Sequence, residues 1–194
     1  VQLIYLKNDL KMKDIWVISD THFHHANILR FKDAEGNLIR GSRFSSVAEM
    51  DECMLENWNR VVKPGDKVYH LGDVQMGKHE QFRKFWPRLN GKKNLIVGNH
   101  DDIKYLAQNG FFAKIYMWRM FSEFGLLLSH VPIHETSARR YPPKDYPESV
   151  KEVVQLLNVH GHIHQNASPT PHHRCVCVEH IDYTPINIEE LRIL

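Results

Sequence analysis

Five short apolar runs in this chain each end in a polar motif of one kind: Asp20-Thr21-His22, Gly72-Asp73, Gly98-Asn99-His100-Asp101, Ser129-His130 and Gly161-His162-Ile163-His164. One ligand-bearing strand end is common by chance. Five in one chain confine it to folds that gather several strand ends at one place, and their side chains are those a two-metal hydrolytic site requires.

The rest of the chain supplies such a fold. Residues 15–19 are short, apolar and partly β-branched, the pattern of a buried strand, and similar runs predict strands over 67–71, 94–97, 125–129 and 156–160. Ser46 followed by Glu49 is a capping-box pattern. Met50, Met54, Leu55, Trp58, Val61 and Val62 then recur at helical spacing until Pro64-Gly65, which predicts a helix over 46–62. A helix is also expected from Asn27 and another between His79 and Leu89, with late strands over 174–179 and 184–188. Residues 139–147 hold three prolines and two tyrosines and read as a loop. Strands alternating with helices predict an α/β layered fold, whose ligands gather at the carboxyl ends of the strands. At 194 residues one domain is expected, over 12–194, with residues 1–11 as an N-terminal extension.

Histidine is the unusual component, at 14 residues, and it is the commonest metal ligand and the usual acid or base near neutral pH. A net charge of +2 lacks the basic excess of a chain devoted to nucleic acid, so nucleic acid is a disfavoured partner. No apolar run approaches the ~20 residues that span a bilayer, so no membrane role is expected. Cys53, Cys175 and Cys177 make an odd set without zinc-finger spacing, which argues against a disulfide framework. With no secretory pattern at the N-terminus, a cytoplasmic location is expected.

If the backbone stays extended through Asp20-Thr21-His22, residues i and i+2 share a face, and carboxylate and imidazole can hold one ion. His162 and His164 repeat the arrangement. Asp73 has lone pairs enough to bridge two ions, Asn99 would add an amide oxygen and His130 another imidazole. Four imidazoles, two carboxylates and one amide are too nitrogen-rich for calcium or magnesium and suit manganese, with iron, zinc or cobalt as alternatives. Two divalent ions with two aspartates leave a formal excess of positive charge, which favours a phosphate ester over a neutral one. His70 falls out of phase with Asp73 and reads as a packing residue, as does His160, whereas His79, His172, His173 and His180 are expected to be solvated. Arg43, in a Gly-Ser-Arg-Phe loop, is the preferred phosphate contact. His25 and Asn27 come next, ahead of Arg30, Arg139, Arg140 and Lys144.

The order DxH, GD, GNHD, SH and GHxH resembles the calcineurin-like metallophosphoesterases. Residues 19–23 with His25-x-Asn27, Trp58-Asn59 and residues 68–73 look like a small bacterial and phage-type subgroup. The resemblance implies a four-layered α/β/β/α sandwich of two mixed sheets and a phosphomonoesterase or phosphodiesterase that uses two divalent ions. It implies that Asp20, His22, Asp73 and His164 hold one ion and that Asp73, Asn99, His130 and His162 hold the other. A hydroxide bridging the ions would attack phosphorus, with His100 protonating the leaving oxygen. The resemblance implies a phosphoester substrate, with a nucleotide among the candidates. The competing readings are a nuclease of the same fold and a catalytically weak metal-binding scaffold for protein partners. Two departures stand out. Many relatives read GDxxD where this chain has Met76, which leaves Asp101 to support His100. Many read HFGH where this chain has His24, a residue that would narrow the pocket or touch substrate.

Overall fold

The structure, a computed structural model, describes residues 13–141 and 153–192. The expected N-terminal extension, Lys144 and the prolines of the 139–147 segment lie outside these residues. In chain order the elements are β1 (Ile15–Ile18), α1 (Val47–Val61), β2 (Lys67–His70), α2 (His79–Phe85), β3 (Lys92–Ile96), α3 (Ile103–Gln108), β4 (Ile115–Tyr116), β5 (Trp118–Phe121), β6 (Leu126–Ser129), β7 (Arg139–Arg140), β8 (Val154–Gln155), β9 (Leu157–His160), β10 (His173–Cys175) and β11 (Ile186–Asn187).

Two mixed sheets stack on each other. The first runs β11-β1-β2-β3-β4, parallel except for β11, and the second runs β10-β9-β6-β5, parallel except for β5. Period-two alternation sorts their side chains. Ile18, Val68 and Leu95 face the helices with Met50, Met54 and Trp58, while Val17, Tyr69, Ile96, Leu126, Leu128 and Val159 fill the space between the sheets. The fourth layer of the expected sandwich would lie on the outer face of the second sheet, beside residues 142–152, which are outside the described residues. Among the described residues that face carries Leu127 under Ala138 and Leu156, a 3₁₀ turn and the β7–β8 ribbon, with no α-helix.

Helix α1 forms as its spacing predicts and is capped by Ser46, whose hydroxyl accepts the Glu49 N–H at 3.1 Å. The return half of the box is shifted by one residue, because the Glu49 carboxylate accepts from the N–H and hydroxyl of Ser45. Trp58 and Asn59 fasten the end of α1 to the turn before β3: the indole donates to the Asn90 carbonyl at 2.9 Å and the Asn59 amide accepts the Asn90 N–H at 2.8 Å.

Several expected elements differ. The helix from Asn27 is a five-residue 3₁₀ turn, Ala26–Arg30, that buries only Ile28, too little apolar surface to hold a longer helix. The strand over 174–179 ends at Cys175; Cys177 still bridges to Ser19, and Val178–His180 turns as a 3₁₀ segment. The strand over 184–188 is only Ile186–Asn187, because left-handed backbone at Asp182 and Tyr183 turns the chain just before it. Arg139–Arg140, read as loop, pairs with Val154–Gln155. His173, expected in solvent, is buried in β10 and donates from Nε2 to the Ile133 carbonyl at 2.7 Å.

Candidate metal centre

All five motifs follow strands whose ends lie side by side, and their loops are stitched to one another by backbone hydrogen bonds. The N–H of Asp20 donates to the Gly72 carbonyl, that of His22 to Asp73, that of Phe23 to Val74 and that of Gly161 to His130, at 2.8–3.0 Å. The expected extended backbone through Asp20 and His22 does not occur. Asp20, His22, Asp73, His162 and His164 all lie in the left-handed region, at φ of 56°, 46°, 54°, 71° and 50°. Such conformations cost non-glycine residues about 1–3 kcal/mol each and persist only where the surroundings over-determine them. Here the stitched loops do so, and the alternation of hand turns the side chains inward together. Close approach also requires two glycines: a methyl on Gly72 would overlap the backbone of Gly98, and one on Gly161 would overlap Ser19 Oγ and Asp20 Oδ2.

Two ligand clusters result. Asp20, His22 and His164 present donor atoms within 4.8 Å of one another, and Asp73, His130 and His162 do the same. In the first cluster, Asp20 Oδ2 accepts from the Ser19 hydroxyl at 2.5 Å, the His162 N–H at 2.9 Å and the Cys177 thiol at 3.2 Å. Oδ1 is left buried and without a partner, as are both nitrogens of His22. Burial, and then the positive charge of Arg40, push the His22 pKa far below its ordinary value, so the ring is neutral and offers a lone pair. Buried orphans of this kind call for an explanation, and a cation supplies it.

In the second cluster, His130 Nδ1 donates to the Leu71 carbonyl at 2.7 Å, which leaves Nε2 of the neutral ring as a lone pair 2.8 Å from Asn99 Oδ1. His162 Nδ1 lies 2.9 Å from the same amide oxygen. The His130 lone pair and the Asn99 amide oxygen are acceptors that face one another, an arrangement a shared cation would stabilise. Asp73 joins the clusters: Oδ1 accepts the His100 N–H at 2.8 Å, and Oδ2 lies 3.8 Å from His22 Nε2 and 3.5 Å from His130 Nε2.

The surroundings contain residues that the motifs did not announce. Arg40 is wholly buried and donates to the carbonyls of Asp20 and Thr21 and, through Nε, to Glu179 Oε1 at 2.7 Å. The same Glu179 oxygen accepts from His164 Nδ1 at 3.1 Å, which orients the ring and frees Nε2 toward Asp20 and His22. Burial opposes the Glu179 charge, but Arg40 and His164 more than offset it and bring its pKa down to about 2. Glu179 had a legible signal, a carboxylate closing the apolar run Cys175 to Val178; Arg40 had none. His70 is buried as expected. Its Nδ1 accepts the Gly72 N–H, so Nε2 donates to the Thr21 hydroxyl, which donates to the Val74 carbonyl.

Asp101 does not reach the His100 ring. Its oxygens accept the backbone N–H groups of Asp73, Val74 and Gly98 at 2.8–3.1 Å, clamping two motif loops together. His100 itself is exposed, 6.0 Å ring to ring from His22. His24 neither narrows the site nor contacts its ligands. At φ 64° it occupies a conformation that glycine adopts freely, and its Nδ1 lies 2.6 Å from the buried Asp51 carboxylate of α1. Met76 is an exposed side chain. His25 is half-buried beside His22, at 5.8 Å, and Asn27 is exposed on the 3₁₀ turn. Arg43 is paired with Asp182 and lies over the Tyr183 ring at 4.6 Å.

Comparison with known proteins agrees with this geometry. The sequence pattern described as calcineurin-like phosphoesterase matches residues 13–189. An uncharacterized protein of Methanocaldococcus jannaschii is 29% identical over 189 residues, covering 93% of this chain and 90% of that protein. The gene 66 protein of Mycobacterium phage L5 is 30% identical over 93 residues, 46% of this chain and 41% of its own length. A crystal structure of a protein of unknown function from Aquifex aeolicus superposes with a TM-score of 0.64 at 29% identity, over 92% of this chain and 97% of that one.

Proposed function

This chain belongs to the calcineurin-like phosphoesterase family, and on that footing we propose that it hydrolyses an organic phosphomonoester or phosphodiester with two divalent ions, manganese first and iron or zinc next. Asp20, His22, Asp73 and His164 would hold one ion, and Asp73, Asn99, His130 and His162 the other. The observation that carries the reading is Asp73 Oδ2, which faces a ligand nitrogen of each cluster. When bound, such ions polarise phosphoryl oxygens and lower the pKa of water.

The chain's own residues supply the rest. His100 stands beside the centre with its backbone N–H held on Asp73, and its imidazole donates the proton that the departing alkoxide needs. Asp101 positions this step without touching it, by fixing the loops that carry Asp73 and Asn99. His25 and Asn27, next to the first ligand pair, are the nearer phosphate contacts, since Arg43 is already engaged by Asp182. We assign the protein to the cytoplasm, where its three free cysteines stay reduced. Among the described residues no helix is long and apolar enough to cross a membrane.

The test is hydrolysis of an aryl phosphomonoester and a bis-aryl phosphodiester by metal-stripped protein with manganese, zinc, iron or magnesium restored. Activity that returns with metal and is lost in Asp73→Asn supports the reading. Silence with every metal, despite bound ions, would favour a scaffold.

A further inference from the structure

We propose that an apolar cavity beside the second ligand cluster receives a flat aromatic ring carried by the phosphoester, and thereby selects aromatic esters over aliphatic ones. The inference rests on the phosphoesterase reading above. The cavity, about 600 Å³, opens where the chain crosses from β4, the edge of the first sheet, to β5, the edge of the second. Asn99 and His130 form its polar end and belong at the same time to the ligand cluster. A phosphate held by that cluster therefore has its ester substituent beside the cavity mouth. Met117, Trp118, Met120 and Ile133 line much of the remainder.

Three features choose the occupant. The volume falls in the range of small-molecule sites and exceeds what a phosphate group alone would fill. No carboxylate, ammonium or guanidinium stands among the described lining, and the Ser129 hydroxyl is already donated to the Val131 carbonyl at 2.7 Å. Beyond the polar end, the exposed Ser137 hydroxyl is the one other polar side chain of the described lining, so a sugar or polyol entering here would lose much water for few partners, whereas an aromatic ring has little to lose. Trp118 and Met117 are 59% and 70% exposed, unusual for large apolar side chains, and an indole face and a thioether are both good surfaces for an aromatic ring.

The experiment uses phosphonates, whose carbon–phosphorus bond is not hydrolysed, so binding is read without turnover. Phenylphosphonate and methylphosphonate are titrated into the manganese-loaded full chain by calorimetry, with sedimentation velocity on the same samples. Phenylphosphonate is expected to bind roughly tenfold more tightly, the size of one good stacking contact. That ratio falls to about one in Trp118→Ala and is retained in Trp118→Phe. Equal affinities in the unmodified protein, or a ratio that survives Trp118→Ala and Met120→Ala, would overturn the proposal while leaving the phosphoesterase reading in place. A dimer that Trp118→Ala dissociates would also overturn it, since a second copy would then be the occupant. Binding of neither phosphonate by protein that still hydrolyses the aryl esters would overturn this proposal alone, and binding of neither with no metal-restored hydrolysis would remove both readings.

Discussion

Replacing Arg40 with methionine keeps much of the side-chain volume but removes the donors that hold the first ligand loop. The guanidinium is wholly buried, with hydrogen bonds of 2.6 Å to the Asp20 carbonyl, 3.0 Å to the Thr21 carbonyl and 2.7 Å to Glu179. Its loss leaves two carbonyls short of a donor and a buried carboxylate short of its counter-charge. Breaking a buried ion pair from one side costs about 3–5 kcal/mol. Because His164 still donates to the same Glu179 oxygen at 3.1 Å, the lower end, about 3 kcal/mol, is expected for Arg40→Met. For a domain of this size, where each kcal/mol moves Tm by roughly 2–4 °C, that is a fall of about 6–12 °C. The assay is urea and thermal denaturation of metal-stripped protein, so that altered metal affinity does not enter the stability. Adding Glu179→Gln should recover part of the loss, since the uncompensated charge is then gone. On calorimetry, manganese affinity should weaken by about 10- to 100-fold, because the loop carrying Asp20 and His22 loses its support. A stability change under about 0.5 kcal/mol, the range of an ordinary surface substitution, would refute the reasoning. So would strict additivity of the two substitutions.

Glu179 should also leave a pH signature. Its folded pKa of about 2 lies below the ordinary 4.5, so between these values the unfolded chain binds a proton that the fold does not. The stabilisation, of order 3 kcal/mol, is therefore present above pH 4.5 and fades as pH falls toward 2. Acid titration of unfolding free energy for metal-stripped protein and Glu179→Gln should show their gap narrowing in that window; a constant gap would count against the pairing. His100→Ala should lower turnover of an ester with a poor leaving group by about 10²- to 10⁴-fold while elemental analysis finds the metal content unchanged; undiminished turnover would remove His100 from proton donation. Manganese at about one hundred times its Kd should stabilise the fold by about 2.7 kcal/mol and raise Tm by roughly 5–11 °C in scanning calorimetry. Most of that rise should vanish in Asp73→Asn, and a rise of equal size in that variant would place the ion elsewhere.

Local pattern accounts for what could be read along the chain. The apolar runs before each motif, the helical spacing from Met50 to Val62 and the Ser46 cap depend on neighbours a few residues apart, and β1, β2, β3, β6, β9 and α1 lie where those patterns put them. The seven candidate ligands were legible for the same reason, since all of them fall in the five short polar motifs at which apolar runs stop. The short late strands were not, because Asp182 and Tyr183 turn the chain through left-handed backbone that carries no glycine to announce it.

The sequence by itself thus determined the layered α/β class, the candidate ligand types and the strand ends that bear them. Only the tertiary structure decided how those ligands face each other. The left-handed backbone at five of them is imposed by loops hydrogen-bonded across the sheet. The clamp that Asp101 makes depends on loops 27 and 28 positions away, and the Arg40–Glu179 pair joins residues 139 positions apart. Even His24 is explained by Asp51 on a helix rather than by its own motif. The physical reason is range: periodicity and caps record interactions between near neighbours, whereas hydrogen bonds between loops exist only after the sheets have brought their ends together.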